Sequence, residues 1–197
     1  CGTSLTSCLP VNVITVRPGV PTSIAGPNPV CTATATYSCP PVPNATSYVW
    51  AVAGGVVITS GQGTNTVQVS LPANFGQGAI QVYAVNCIGQ SAVYGINLTG
   101  IPTTSNGILG PNPGVCAGST ATYSIVPVPG AASYIWTPTG DMTVTPNGNT
   151  CSVVFGPTWT SGTLTVTMVN SCGQFSRVAN LRSTPTQPGT IYGSGTG

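Results

Sequence analysis

Residues Gly26 to Val52 read GPNPVCTATATYSCPPVPNATSYVWAV, and residues Gly110 to Pro138 read GPNPGVCAGSTATYSIVPVPGAASYIWTP. The second stretch repeats the first. Cys31 precedes Cys116 by 85 residues, Tyr37 precedes Tyr123 by 86, Trp50 precedes Trp136 by 86, and Cys87 precedes Cys172 by 85. Self-similarity at a fixed period marks a repeat architecture, so the chain carries two copies of one module of about 85 residues.

Outward from this repeat, both ends of the chain fall into register. Cys1-Gly2, a polar turn and the strand-like run Val11 to Val16 match the segment after Cys172-Gly173. Residues 1–25 therefore read as the C-terminal strands of a preceding repeat plus a linker, 26–101 as the first full repeat, and 102–184 as the second. Residues 185–197 (PTQPGTIYGSGTG) read as a linker to a further repeat. The Pro-rich stretches Arg17 to Pro29 and Ile101 to Pro113 read as linkers that proline keeps extended.

Within a repeat, apolar residues alternate with polar ones between turn signals spaced as in a β-sandwich. Ala33, Ala35 and Tyr37 share one face of a strand, and Tyr48, Trp50 and Val52 share a face of the next. Val67, Val69 and Leu71 align inward in a third, Ile80, Val82 and Ala84 in a fourth, and Ala92, Tyr94, Ile96 and Leu98 in the last. The second copy offers Ala121, Tyr123 and Ile125, then Tyr134 and Trp136, then Val153 and Phe155, then Leu164, Val166 and Met168. The expected fold is all-β: tandem immunoglobulin-like sandwiches with Tyr37, Tyr48, Trp50, Tyr123, Tyr134 and Trp136 in their cores. Trp159 has no aromatic counterpart in this alignment, where the register falls near Asn74, so it is the better candidate for an exposed contact, a cap over the sandwich edge being the commoner role for such a residue.

Composition narrows the function. Of 197 residues only Arg17, Arg177, Arg182 and Asp141 carry a formal charge, and Lys, Glu and His are absent. Paired catalytic carboxylates, a His-based triad, a Cys/His zinc site and a polybasic nucleic-acid surface all need residues this chain lacks. With 41% hydrophobic residues and a net charge of +2, the chain has the apolar content that disordered segments lack. Pro, Gly, Thr or Asn breaks every apolar run well short of the roughly 18 to 20 residues a membrane span requires. Missing Glu and Lys, with abundant Val and Thr between Gly and Pro, also disfavour helix.

The pattern Val115-Cys116, Thr122-Tyr123-Ser124, Val128-Pro129-Gly130-Ala131, Ser133-Tyr134, Trp136 and Val169-Asn170-Ser171-Cys172-Gly173 resembles the PKD-like and immunoglobulin-like repeats of very large Bacteroidetes surface proteins. These include gliding-motility adhesins and other cargo of the type IX secretion system. The resemblance implies a secreted, cell-surface location and a non-catalytic structural role. It departs at the acidic turn that comes after the tryptophan in many PKD domains. Trp50 is followed by Ala-Val-Ala-Gly-Gly and Trp136 by Thr-Pro-Thr-Gly-Asp, and Asp141 alone supplies too few carboxylates for calcium.

Eight cysteines suggest an oxidising compartment. Two pairing schemes remain open. Equal spacing favours Cys31 with Cys87 and Cys116 with Cys172, each pair 56 residues apart. Sandwich topology places those partners at opposite ends and favours local pairs instead: Cys39 with Cys87, Cys151 with Cys172, and Cys1 with Cys8. Two functional classes fit. The first is a structural and adhesive repeat, a stiff spacer or filament-forming segment whose partners are neighbouring repeats, further copies in a fibre, or surface glycans. The second is a carbohydrate-binding module using Trp159, Tyr83 and Tyr192 as stacking groups. Neither calls for catalysis, a cofactor, a metal, nucleic acid or membrane insertion.

Overall fold

The computed structural model describes residues 15–104, 106–112 and 114–183. Among these residues the chain forms strands and no helix. It divides into two units between Thr99 and Gly100. The expectations placed on Cys1, Cys8, residues 185–197 and Tyr192 lie outside the described residues.

In the first unit the strands are β1 (Thr34–Ser38), β2 (Ser47–Ala53), β3 (Val57–Ser60), β4 (Thr66–Ser70), β5 (Gln77–Asn86), β6 (Gly89–Gln90) and β7 (Tyr94–Thr99). One sheet has the order β1-β4-β3, and the other places β2, β6 and β7 around β5, all antiparallel. Alternation sets the faces. In β4 the sequence TVQVS sends Val67 and Val69 into the core while Gln68 faces solvent, as a period of two requires. Tyr37, Trp50, Ile80, Val82 and Leu98 fill the space between the sheets. The outer backbone edge of β2 is covered by the Gly63 backbone, which pairs with Tyr48, and by the Gln62 side chain, which donates to the Trp50 carbonyl and accepts from the Trp50 N–H, both at 2.9 Å. Blocking a strand edge in this way removes a template for unwanted pairing.

The second unit repeats the plan with β8 (Thr120–Ser124), β9 (Ser133–Pro138), β10 (Met142–Asn147), β11 (Thr150–Phe155), β12 (Ser161–Asn170) and β13 (Gly173–Arg182). Its sheets are ordered β10-β11-β8 and β13-β12-β9. Trp136, Phe155, Leu164, Val166 and Met168 occupy the core positions. Both units thus have the strand arrangement of a constant-type immunoglobulin sandwich. The β12–β13 ladder is regular throughout, whereas its counterpart in the first unit breaks after the Ser91 pairing and resumes at Tyr94 one residue out of step. That β-bulge turns Ala92, expected inward, out to solvent, and Ser91 is buried in its place, its hydroxyl accepting from the Ala84 N–H at 3.0 Å.

The stretches read as linkers belong in part to the sandwiches. Ala25 pairs with Ser38 on the first sheet, and the Val30 N–H donates to the Thr99 carbonyl on the second. Within Gly26 to Pro29 the chain crosses from one sheet to the other. In the second unit Leu109 pairs with Ser124, and Val115 pairs in parallel with Ser183.

Candidate functional site

Four side-chain locks recur in both units, and they account for the sequence signature. The first is built on the Gly-Pro-Asn crossing. The Tyr37 ring lies over Gly26, where a Cβ would fall inside the ring, and the Tyr37 hydroxyl donates to the Pro27 carbonyl at 2.8 Å. Asn28 then donates to the Asn97 carbonyl and accepts from the Thr99 N–H, tying the crossing to the last strand. Gly110, Pro111, Asn112 and Tyr123 repeat this, with Asn112 on the Asn180 carbonyl. Burial pushes the Tyr37 hydroxyl up to about 12, and burial together with Cys151 raises that of Tyr123.

In the second lock a tyrosine closes the proline-rich loop: the Tyr48 and Tyr134 hydroxyls accept from the Val42 and Val128 N–H groups, both at 2.8 Å. In the third, each core indole donates to the hairpin facing it, Trp50 Nε1 to the Thr64 carbonyl and Trp136 Nε1 to the Gly148 carbonyl. A buried tryptophan finds a partner for its N–H in this way. These two side chains are therefore core elements and present no stacking surface.

The fourth lock holds the chain that enters each unit. Asn86, nearly buried in the turn after β5, donates to the carbonyls of Val16 at 2.7 Å and Asn44 at 3.0 Å, and accepts from the N–H groups of Ile88 and Gly89. Asn170 does the same with the carbonyls of Gly100 and Gly130 and the N–H groups of Cys172 and Gly173. Side chains reinforce the hold. Arg17 lies against Gly89, Ile101 occupies the corresponding place against Gly173, and Arg177, stacked on Phe175 at 4.8 Å, donates to the Thr104 carbonyl. Sequence reading missed this site because an isolated asparagine in a turn carries no special signal; only the recurrence of Asn-x-x-Gly at both turns marks it.

The hydrogen bonds of these two asparagines also correct the cysteine alignment. The turns are Asn86-Cys87-Ile88-Gly89 and Asn170-Ser171-Cys172-Gly173, so Cys87 and Cys172 occupy neighbouring positions of one turn. Cys31 and Cys172 are disulfide-bonded, while Cys39, Cys87 and Cys151 carry free thiols. The pairs Cys31–Cys87, Cys39–Cys87 and Cys151–Cys172 are thus not formed. Cys31 adjoins Val30, which is bonded to Thr99 at one end of the last strand, whereas Cys87 sits at the other end. The length between them, roughly 35 Å at about 3.3 Å per residue, is far beyond the Cα separation of about 7 Å that a disulfide tolerates.

Cys39 and Cys151 have a different role. Tyr37 pairs with Val67 in the first unit and Tyr123 pairs with Cys151 in the second, so Cys151 stands where the first unit has Val67. Cys39 and Ile125 correspond in the same way, their N–H groups bonding to the Asn65 and Asn149 carbonyls. All four residues are buried. A buried cysteine behaves as a small hydrophobe, and burial raises the Cys39 thiol and pushes that of Cys151 up to about 11. Cys151→Val, which adds one heavy atom, is expected to change stability at neutral pH by about 1 kcal/mol, and Cys39→Ile, which adds two, to cost about 1–3 kcal/mol, as added volume in a packed core does. The Cys151 thiol is harder to ionise folded than unfolded, so it costs stability as pH rises from its unfolded value near 9 toward 11. Denaturant titrations at pH 7 and pH 10.5 should show Cys151→Val losing less stability on this rise than the wild type.

Trp159, the candidate for an exposed contact, is instead buried, with 2% of it exposed. It packs edge-on against Phe155 at 4.5 Å, in the turn after β11. Its counterpart is Phe75, because the N–H of each bonds to the carbonyl three residues earlier, Gly156 or Pro72. The alignment near Asn74 hid this equivalence by one residue. Trp159 Nε1 has no hydrogen-bond partner among the described residues. Trp159→Phe is therefore expected to be neutral or slightly stabilising, within about 1 kcal/mol, since it removes a desolvated donor; a loss of more than about 2 kcal/mol in urea denaturation would contradict this.

Asp141 fixes the same turn, accepting from the Thr158 hydroxyl at 2.6 Å and its N–H at 3.0 Å. Those bonds hold its carboxyl below the usual range. Among the described residues, no three His, Cys, Asp or Glu side chains gather as a metal site. A shallow cleft of about 220 Å³ on the second unit is lined by Ser161, Gly162, Thr163, Asn180, Leu181 and Arg182, with no aromatic ring. Among the described residues no helix is long and apolar enough to cross a membrane.

Fold and locks together define a class: tandem immunoglobulin-type sandwiches whose repeated side chains serve the framework and the chain entering it. The PKD-like domain family matches residues 17–98 and 101–182, and the chain belongs to that family. Solved structures similar to it include the mouse nectin-like molecule 4 ectodomain (Ig1–Ig3), at 16% identity and TM-score 0.46 over 89% of this chain and 68% of that one. The chicken CNTN1 FN1–FN3 domains match at 14% and 0.41 over 87% and 70%, and the tandem Ig repeats of Dlar at 15% and 0.33 over 86% and 95%. No curated protein matches the sequence. Repeats of this class are typically non-catalytic, and disulfide bonds are characteristic of oxidising, extracellular compartments.

Proposed function

We propose that this chain is a run of stiff spacer repeats in a long secreted surface protein of the Bacteroidetes adhesin type, carried by type IX secretion and serving gliding or attachment. The observation that carries this reading is the hold on the entering chain. Thr99 is paired with Gln77 and accepts from the Val30 N–H in the first unit, while the next residue, Gly100, accepts from Asn170 in the second. An entering segment tied to the body of its own repeat has little conformational entropy, unlike a flexible linker.

The scarcity of charge supports the same role. Of the four charged residues, Arg17 and Arg177 hold entering segments, Asp141 fixes a turn, and Arg182 ends the last strand. Away from these positions the repeats offer uncharged Thr, Ser, Asn and Gln, which approach another surface with little desolvation of charge or long-range repulsion. Electron microscopy of a longer stretch of the parent chain tests the reading. An extended row of beads or a filament is expected; a compact particle in which the repeats collapse on one another overturns it.

A further inference from the structure

The two units treat one strand edge differently. In the first, the Tyr48 and Trp50 backbone groups face away from β5, and Gly63 and Gln62 occupy them. The Thr64 and Gly148 carbonyls both receive a core indole N–H, so Gly148 stands where the first unit has Thr64, and two residues earlier Pro146 stands where it has Gln62. A proline has no side-chain amide with which to clamp a backbone. Asn147, in the place of Gly63, is engaged in the hairpin with Thr150. The register of β9 on β12 repeats that of β2 on β5: Trp136 lies opposite Val166 as Trp50 lies opposite Val82, and the Ala132 N–H bonds to the Val169 carbonyl as that of Thr46 does to Val85. Alternation then turns the Tyr134 and Trp136 backbone groups away from β12. Among the described residues nothing bonds to them there. The sheet edge they form is the one that carries the additional strand C′ in a variable-type immunoglobulin sandwich, so a strand fits beside it.

We propose that β9 is a self-association edge whose occupant is β9 of a second copy of this chain, running antiparallel about Ile135. The register follows from the strand itself. Centring the pair on Ile135 sets Tyr134 of each copy against Trp136 of the other, and such a pair exchanges both N–H···O bonds. Ile135, 53% exposed, then meets its own copy across the two-fold axis. The same short segment supplies both halves of the contact, as an isologous interface requires, and this favours a second copy over an unrelated strand. The ladder ends where the sequence ends it, because Pro138 has no N–H and the Ala132 N–H is already given to Val169. Charge does not oppose the approach: β9 carries none, and Asp141, which follows it, is taken up by Thr158. So short a ladder buries less than the roughly 1,200 Å² of a standard interface, so a single contact is weak and reversible. In the array proposed above such contacts would add by avidity, although the edge itself does not depend on that array.

Sedimentation equilibrium of the full chain tests the proposal, with exposed thiols capped by iodoacetamide so that Cys87 forms no crosslink. The weight-average mass should climb with concentration toward twice that of one chain. Ile135→Lys, which sets like charges face to face, should stay at the mass of one chain while keeping the wild-type circular dichroism. The place of contact is read separately. In Ile135→Cys the introduced thiols would sit in a non-hydrogen-bonded pair, about 4.5 Å apart at Cα, within the reach of a disulfide. After oxidation and digestion, mass spectrometry should recover the peptide carrying position 135 linked to a second copy of itself. Wild type that stays at the mass of one chain at the highest concentration reached overturns the proposal. Association that survives Ile135→Lys belongs to another surface and overturns it too, as does position 135 linked only to Cys87 or Cys116. Each of these results leaves the spacer reading standing.

Discussion

Trp50→Ala is expected to destabilise the first repeat by about 3–5 kcal/mol, the range for truncating a fully buried aromatic in a packed core. Trp50 is the largest side chain between the two sheets of this unit, and its indole N–H is bonded to the Thr64 carbonyl at 2.9 Å. Truncation opens a cavity and strips that carbonyl of its donor. Trp50→Phe should cost less, about 1–2 kcal/mol, since most of the packing survives and chiefly the hydrogen bond is lost. The cores of the two units share no residue, so the damage should stay in one of them. Fluorescence separates the two: among the described residues Trp136 and Trp159 belong to the second unit and Trp50 to the first. In urea denaturation of Trp50→Ala, the transition seen by the remaining tryptophans should hold its midpoint while a circular dichroism transition moves to lower urea. Equal shifts of both, or a loss below about 1 kcal/mol, would refute this account.

The strands were legible because their alternation is clean. Val67 and Val69, or Leu164, Val166 and Met168, leave no choice of inward face. The tandem organisation was legible because the offsets stay within one residue over the compared pairs. Reading failed where that offset drifts. It is 86 at the tryptophans and 84 from Val67 to Cys151, from Phe75 to Trp159, and from Asn86 to Asn170. A one-residue error placed Trp159 opposite Asn74 and Cys87 opposite Cys172. The side chains at these positions look unlike enough that only backbone hydrogen bonds establish which residue replaces which. Ala92 failed for a related reason, because a bulge reverses the faces within a strand whose sequence still alternates. Cys39 and Cys151 misled by type: half-buried strand ends are plausible disulfide positions, yet full burial opposite valine and isoleucine makes them packing residues. Asn86 and Asn170 were marked only by the recurring Asn-x-x-Gly, and their importance lies in which distant carbonyls they reach.

Asn170→Ala is expected to cost the second repeat about 2–4 kcal/mol, because four backbone groups lose one partner together. The side chain donates to the Gly100 and Gly130 carbonyls and accepts from the Cys172 and Gly173 N–H groups, so it joins three segments: the entering chain, the loop before β9, and the turn before β13. Asn170→Asp separates these tasks. A carboxylate still accepts from the two turn N–H groups, but it donates nothing and faces the two carbonyls with negative charge. The turn should survive in Asn170→Asp while the entering chain is released. Limited proteolysis should then cut first within residues 101–104, since cleavage at a locally released segment does not require global unfolding. The body of the repeat should lose about 1–2 kcal/mol in the same variant, a smaller effect than in the alanine variant. Asn86→Asp should act in the same way at residues 16–20, where Val16 is held. If cleavage at residues 101–104 stays at the wild-type level in Asn170→Asp, then Arg177 on the Thr104 carbonyl and Ile101 against Gly173 suffice to hold the entering chain. The entering segment would in that case be held by packing along the first residues of each repeat, and the asparagine would be reduced to a turn former.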